Sequence, residues 1–148
     1  MKIYLESNDN EEKIMLAKAL LANGLVSGIE SEDCCRKSDA EIFQAVTQVV
    51  KMFGVSTQWV AVYRVLVDFC GWESDISKFN QRMNRLLKNV RLGNKCTYQS
   101  IQKPLANNFI LRRSFKEWKE YKVPAGDRVF SRQMHIAREL LKLLSISA

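Results

Sequence analysis

Basic side chains of the types that bind phosphate are concentrated in one stretch of the chain. Between Ile76 and Lys116 there is no carboxylate, and ten residues carry a positive charge. They are Lys78, Arg82, Arg85, Lys88, Arg91, Lys95, Lys103, Arg112, Arg113 and Lys116. Like charges repel one another, so a stretch of one sign favours an external partner of opposite charge. The ordinary partner of Lys and Arg in this role is the phosphate backbone of a nucleic acid.

The charge is divided unevenly along the 148 residues. Residues 1–74 hold 7 basic and 11 acidic side chains, whereas residues 75–148 hold 16 basic and 5 acidic ones, for a net charge of +7. A nucleic acid would supply the missing negative charge, and so would an acidic protein or the acidic N-terminal half. Two interpretations therefore stay open: a nucleic-acid-binding factor, and an adaptor whose basic face docks an acidic partner without any nucleic acid.

Residue patterns of other chemistries are missing from the sequence. The six glycines are dispersed, which disfavours a phosphate-binding glycine loop, and the basic stretch lacks paired carboxylates for acid–base work or Mg²⁺. Cys34, Cys35, Cys70 and Cys96 have no CxxC spacing, and His135 is the single histidine. We therefore expect no catalytic activity, no cofactor and no metal.

No run of about 18 uncharged apolar residues is found, so the sequence predicts no membrane span. Residues 1–12 carry four acidic side chains in place of the basic and apolar regions of a secretory signal. A cytoplasmic location with reduced thiols is the expectation.

The composition favours a mainly α fold. Hydrophobic residues make up 47% and charged residues 26%, while six Gly and two Pro are too few for a fold rich in hairpins. The sequence predicts a single compact domain over residues 1–148, with about six helices and one or two short strands. An acidic helical lobe over 1–54 and a basic lobe over 55–148 are a further division that the charge balance suggests.

Apolar periodicity and helix-capping residues place the elements. Ser38 and Glu41 have the spacing of a capping box, and Ser114 and Glu117 repeat it. Strands are predicted at 1–7 and 109–111. Helices are predicted at 11–22, 38–53, 57–70, 74–89, 97–107, 114–121 and 131–144.

The predicted helix 74–89 separates its charges from its core face. On a helical wheel Phe79 and Met83 fall on one side, and Lys78, Arg82 and Arg85 fall on the other. The cations of this helix and of the segment after 109 are the predicted ligands of the nucleic-acid backbone: Lys78, Arg82, Arg85, Lys88, Arg112, Arg113 and Lys116.

The predicted helix 97–107 has the side chains of a base reader. Gln99, Gln102 and Lys103 lie on its polar side, and amides and cations are suited to the edges of bases in the major groove. Pro104 is expected to end or kink this helix. The order of helices 57–70, 74–89 and 97–107 and strand 109–111 resembles a winged or modified helix-turn-helix unit in layout.

The sequence thus predicts a regulatory or accessory factor that binds nucleic acid, with duplex DNA favoured over RNA. Tyr98, Trp118 and Tyr121 lie among the cations, and aromatic rings of this kind stack on unpaired bases, which keeps single strands open as a target. A homodimer is compatible with the sequence and is not predicted by any pattern in it.

Overall fold

The computed structural model describes residues 37–54 and 57–145. The chain divides into two units, and the larger one comprises residues 37–68 and 72–148. Six α-helices and one 3-10 helix occur in the described part, which contains no strand. The prediction of a mainly helical fold is therefore confirmed. The predicted N-terminal strand, the predicted helix at 11–22 and both Cys34 and Cys35 lie outside the described residues.

The helices are numbered here in chain order, and their bounds are close to those that the sequence predicts. They are α1 Asp39–Phe53, α2 Trp59–Cys70, α3 Ile76–Leu86, α4 Tyr98–Asn107, the 3-10 helix Phe109–Arg112, α5 Phe115–Glu120 and α6 Arg128–Leu143.

Local capping explains where several of these helices begin and end. The Ser38 hydroxyl accepts from the Glu41 amide at 3.2 Å, and a Glu41 carboxylate oxygen accepts from the Ser38 amide at 3.0 Å. This is the predicted capping box, and Gly54 ends α1 with a φ of 62°. The cap of α3 is Asp75, whose carboxylate accepts from the Lys78 amide at 3.0 Å, and not Ser74, where the predicted helix begins.

Two predicted boundaries are corrected. Helix α3 ends at Leu86, and a turn over residues 87–89 replaces the last predicted residues. Helix α6 begins at Arg128 and not at residue 131, because the Asp127 side chain accepts from the Phe130 amide at 2.9 Å and caps the helix.

Helix α2 is the most deeply buried element, as the apolar residues around its cylinder predict. Every residue from 59 to 66 is buried, and Trp59 is 1% exposed. Helices α1 and α6 pack against each other. Ile42, Val46 and Val49 of α1 are fully buried, and Leu140 of α6 has the same burial. These side chains form the hydrophobic core of the larger unit.

The strand predicted at 109–111 is wrong. Residues Phe109–Arg112 form a 3-10 helix, whose first turn is capped by the Asn108 side chain accepting from the Ile110 amide at 3.0 Å. An Asn side chain that binds a backbone amide two residues on stabilises a turn, and no neighbouring strand pairs with this short segment in the described residues. The wing of a winged helix-turn-helix unit is thus missing there.

Helix α4 continues past Pro104 to Asn107, so of the two predicted effects of Pro104, an end or a kink, the end is excluded. The Thr97 hydroxyl accepts from the Ser100 amide at 3.1 Å, and the Ser100 hydroxyl accepts from the Thr97 amide at 2.9 Å. This reciprocal cap and the burial of Ile101 and Leu105 stabilise the helix. They offset the one backbone hydrogen bond that proline cannot donate.

A buried ion pair on α2 attaches the 3-10 helix and α5 to the core. Arg64 lies 2.9 Å from Asp68, and their side chains are only 10% and 16% exposed. The Arg64 guanidinium also donates to the carbonyls of Leu111 and Arg112 at 3.5 and 3.3 Å. Asp68 accepts from the Phe115 amide at 2.7 Å, at the first turn of α5. One pair of side chains therefore positions both segments.

Burial raises the pKa of Asp68 above its ordinary value of 3.8, and the Arg64 cation and the Phe115 amide act in the opposite direction. A carboxyl whose pKa is higher in the folded state stabilises the fold most when it is protonated. Its contribution is complete below pH 3.8 and is lost as the pH rises through the raised value.

We expect Arg64→Met to destabilise the protein by about 2–4 kcal/mol at pH 7, because it leaves the Asp68 carboxylate buried without its cation. Urea unfolding measures the change. Arg138→Met is the control, since Arg138 is exposed on α6 and its replacement is expected to cost no more than about 0.5 kcal/mol. Equal stability of the two variants would contradict the structural role of Arg64.

The same variant tests the pH dependence. Without the Arg64 cation, the pKa of Asp68 rises further, so the loss of stability between pH 4 and pH 7 becomes larger than in the wild type. The difference in unfolding free energy between the two proteins should therefore grow from pH 4 to pH 7. A difference that shrinks over this interval would show that Arg64 does not act on the Asp68 charge.

Candidate nucleic-acid interface

Helix α3 and the turn after it carry four of the predicted backbone ligands. Phe79 and Met83 are buried at 1% and 0% exposure. Lys78 and Arg85 are exposed, as is Lys88 in the following turn, and Arg82 is half-buried. Helix α3 thus exposes Lys78 and Arg85 on a different side from its buried residues Phe79 and Met83, whereas Arg82 is only partly accessible.

Two of these cations have acidic neighbours from outside the basic stretch. Lys78 lies 3.6 Å from Glu73. The Arg82 guanidinium lies 3.1 Å from Asp39 and 4.2 Å from the centre of the Trp72 ring, on which it stacks. Lys78 and Arg82 therefore have acidic neighbours in space, although residues 76–116 contain no carboxylate.

The ion pair between Lys78 and Glu73 is solvent-exposed, with both side chains more than 60% accessible. The pair of Arg82 and Asp39 is also accessible, at 40% and 65%. Exposed pairs of this kind contribute about 0–1 kcal/mol, because water screens them and the long side chains lose freedom. A phosphate can therefore replace either carboxylate at little cost.

The remaining predicted ligands have no carboxylate beside them among the described residues. Arg112 donates from Nη1 to the Leu105 carbonyl at 3.2 Å, which attaches the 3-10 helix to the end of α4. The other four are exposed and have no ion pair in the described part of the chain: Arg85, Lys88, Arg113 and Lys116.

The three predicted base-reading residues are not equivalent. Gln99 and Lys103 are exposed one turn apart on α4, and both line a cleft of about 480 Å³. Gln102 is half-buried and does not line this cleft. Asn107, a further turn along the helix, continues the row of Gln99 and Lys103. The structure therefore brings two of the three residues to one site.

Side-chain amides dominate the polar lining of this cleft. Lys103 is the one charged side chain among the described residues that line it, and Thr57 and Ser100 contribute hydroxyl groups. Six residues supply an amide: Gln58, Asn94, Gln99, Asn107, Asn108 and Gln133. We call this site the amide cleft.

Gln133 was missed by the sequence analysis. It is 0% exposed and lines the amide cleft, and neither its Oε1 nor its Nε2 has a hydrogen-bond partner in the described structure. It lies on α6 three residues after Phe130 and three before Ile136, both of which are fully buried. An amide within an apolar helical stripe is the sequence signal that could have identified it.

The segment of residues 87–97 between α3 and α4 is held by three hydrogen bonds. The Trp59 indole donates to the Asn94 carbonyl at 2.8 Å, and the Asn94 side chain donates to the Thr57 carbonyl at 3.2 Å. The Asn84 amide donates to the Cys96 carbonyl at 3.2 Å. These bonds fix the segment to α2 and α3, and thereby fix the start of α4.

Comparison with known proteins gives no assignment. No protein-family model, curated protein or solved structure is significantly similar to this chain. None of the described helices combines the length and apolar character needed to cross a membrane. The described residues contain no group of three or more His, Cys, Asp or Glu side chains that could hold a metal ion.

Burial raises the pKa of the Cys96 thiol to about 12, although a hydrogen bond with Ser100 lowers it slightly. Cys96 is 1% exposed, so the thiolate that would act as a nucleophile is almost absent near neutral pH.

We expect iodoacetamide at pH 8 to alkylate Cys96 roughly a thousandfold more slowly in the native protein than in urea, since the thiolate is depleted and covered. Mass spectrometry of the peptide that contains Cys96 follows the reaction. Rapid labelling of the native protein would mean that the segment of residues 87–97 opens readily.

Proposed function

We propose that the protein binds duplex DNA without catalysis, as a regulatory or accessory factor, through a basic surface on α3, the 3-10 helix and α5. The basic surface comprises Lys78, Arg82, Arg85, Lys88, Arg112, Arg113 and Lys116. The observation that carries the proposal is that five of these cations are exposed and have no acidic partner in the described residues: Arg85, Lys88, Arg112, Arg113 and Lys116.

The packing of the helices supports this proposal. Helix α3 contacts α4, α4 contacts the 3-10 helix, and the 3-10 helix contacts α5. The cations of the basic surface therefore lie on or beside elements that are neighbours in space. Charges on neighbouring elements add to one field, which raises the local concentration of a polyanion such as DNA.

The two ion pairs fit the same proposal. Lys78 and Arg82 would exchange Glu73 and Asp39 for phosphate oxygens when DNA binds. Since a duplex offers one phosphate charge per roughly 1.7 Å of axis, it competes effectively with a single exposed carboxylate. Stacking on Trp72 keeps the Arg82 guanidinium in place during this exchange.

Base contacts would come from α4 through Gln99 and Lys103. Amides suit adenine and cations suit guanine in the major groove. The long segment of residues 87–97 and the 3-10 helix in place of a wing depart from a winged helix-turn-helix unit. We therefore propose binding in which phosphate contacts provide most of the affinity, and base contacts from α4 add a smaller share.

An adaptor that docks an acidic protein is the second candidate. The pairing of Lys78 with Glu73 and of Arg82 with Asp39 favours it, because the basic surface already accepts carboxylates from protein. The two functions differ in their target, because an adaptor binds an acidic protein and does not bind duplex DNA. DNA binding also has a steep salt dependence, since it releases counterions from a polyanion.

The double variant Arg85→Glu/Arg113→Glu is expected to bind mixed-sequence duplex DNA at least about tenfold more weakly than the wild type, because two phosphate contacts become repulsive. Fluorescence anisotropy at about 50 mM and about 200 mM salt measures the affinity and its salt dependence. The slope of log affinity against log salt should become shallower by about 2.

The matched control is Lys51→Glu/Lys122→Glu, which makes the same change in net charge at exposed positions outside the basic surface. It is expected to retain most of the affinity. If both double variants lose binding equally, net charge and not the basic surface governs the interaction. Wild-type protein that does not bind duplex at low salt would refute the proposed function.

A further inference from the structure

The exposed side of the 3-10 helix consists of an aromatic ring and a cation. Phe109 is 55% exposed and Arg112 is exposed, whereas Ile110 and Leu111 between them are buried at 5% and 1%. Side chains three residues apart in a 3-10 helix lie one above the other, so Phe109 and Arg112 share one side of it. A single exposed apolar residue is ordinary, but a ring paired with a cation of the basic surface has a specific use.

Packing holds the Phe109 ring in place. Its ring meets the Tyr121 ring in a T-shaped contact, with centroids 6.1 Å apart and planes at 88°. Tyr121 in turn packs at 5.3 Å against the ring of Phe130, which is fully buried. The Arg64 guanidinium, bonded to two carbonyls of the 3-10 helix, fixes the backbone. A side chain that is already held loses little conformational freedom when a flat partner stacks on it.

The cation beside the ring is available to a phosphate. Arg112 has no acidic partner in the described residues, and it donates one N–H to the Leu105 carbonyl. A guanidinium group has five N–H donors, so others remain for phosphate oxygens. One turn of a 3-10 helix rises by about 6 Å, so Phe109 and Arg112 are close neighbours. A single nucleotide, whose base and phosphate are joined through one sugar, can reach both.

The aromatic residues that the sequence places among the cations differ in accessibility. Trp118 is fully buried and Tyr121 is half-buried. Tyr98 is 43% exposed, but the residues three and four positions after it on α4 are uncharged. Among these rings and Phe109, Phe109 therefore combines exposure with a cation on the same side of its helix.

We infer that Phe109 stacks on one unpaired base of a DNA strand while Arg112 binds a phosphate beside it. Aromatic rings stack on bases of every kind, because each base has a flat π face. A ring partly covered by Tyr121 offers surface to one base, whereas insertion between two base pairs requires both faces of the ring. The preferred target is then a duplex that carries an unpaired base. The inference rests on the proposed function, because the same DNA supplies the phosphates of the basic surface.

Three duplexes test the inference by fluorescence anisotropy: one fully paired, one with a single bulged adenine, and one with an abasic nucleotide in place of that adenine. The abasic duplex keeps the extra phosphate and the distorted backbone but lacks the base. We expect the wild type to bind the bulged adenine about tenfold more tightly than the abasic duplex, the effect of one stacked base. Bulged thymine is expected to give a preference of the same order. A preference confined to adenine would indicate hydrogen bonds to the base edge and would overturn the inference.

Phe109→Leu is expected to remove most of this preference and Phe109→Trp to keep it, because leucine retains apolar surface and lacks a π face. Both variants are expected to bind the fully paired duplex as the wild type does. Tyr98→Leu is the matched control, since it removes an exposed ring from α4 and is expected to keep the preference. Circular dichroism checks folding, and Phe109→Ala replaces Phe109→Leu if the latter is unfolded. Retention of the preference by Phe109→Leu, or an equal loss in Tyr98→Leu, would contradict the role of Phe109.

The outcomes separate the two proposals. Equal binding of the bulged and abasic duplexes by the wild type, with salt-dependent binding of the paired duplex, would overturn the inference and leave the proposed function standing. An equal loss of affinity for all three duplexes in Phe109→Leu would also overturn it, because that result indicates insertion between base pairs. Binding of no duplex would refute the proposed function. In that case single-stranded oligothymidylate is the probe: binding that Phe109→Leu weakens about tenfold supports stacking, and no binding overturns it and favours a protein partner at this ring.

Discussion

The ion pair between Arg64 and Asp68 is the interaction on which the positions of the 3-10 helix and α5 depend. Helix α2 is buried over its first eight residues, and the nearly buried Arg64 and Asp68 near its end are stabilised by each other and by hydrogen bonds to backbone groups. Arg64 binds the carbonyls of the 3-10 helix, and Asp68 binds the first amide of α5. The pair converts a short irregular stretch into a fixed support for Arg113 and Lys116.

Helix α4 borders the amide cleft and contacts two elements that carry the basic surface. Its start is fixed by the cap at Thr97 and by the hydrogen bonds of the preceding segment, and its end is held by Arg112. The exposed row of Gln99, Lys103 and Asn107 borders the amide cleft, and α4 also contacts α3 and the 3-10 helix, which carry cations of the basic surface. A strand held by its phosphates would therefore bring its bases near this row.

The electrostatics of the basic surface depend on contacts as well as on composition. Arg82 contacts Trp72 and Asp39, and Arg112, although exposed, donates to the Leu105 carbonyl. Arg85, Lys88, Arg113 and Lys116 are exposed and have no ion pair in the described part of the chain. Held cations lose less side-chain freedom when they bind a phosphate, and free cations contribute mainly through their field.

Features that depend on residues close together in the chain can be predicted without coordinates. The caps at Ser38 and Thr97 and the separation of Phe79 and Met83 from the cations of α3 follow from spacings of three or four residues. The hydrogen bonds from Arg64 to the 3-10 helix, the pairing of Arg82 with Asp39 and the position of Gln133 in the amide cleft depend on tertiary structure. These features join residues that are far apart in the chain, and such contacts follow from how the helices pack and not from local periodicity.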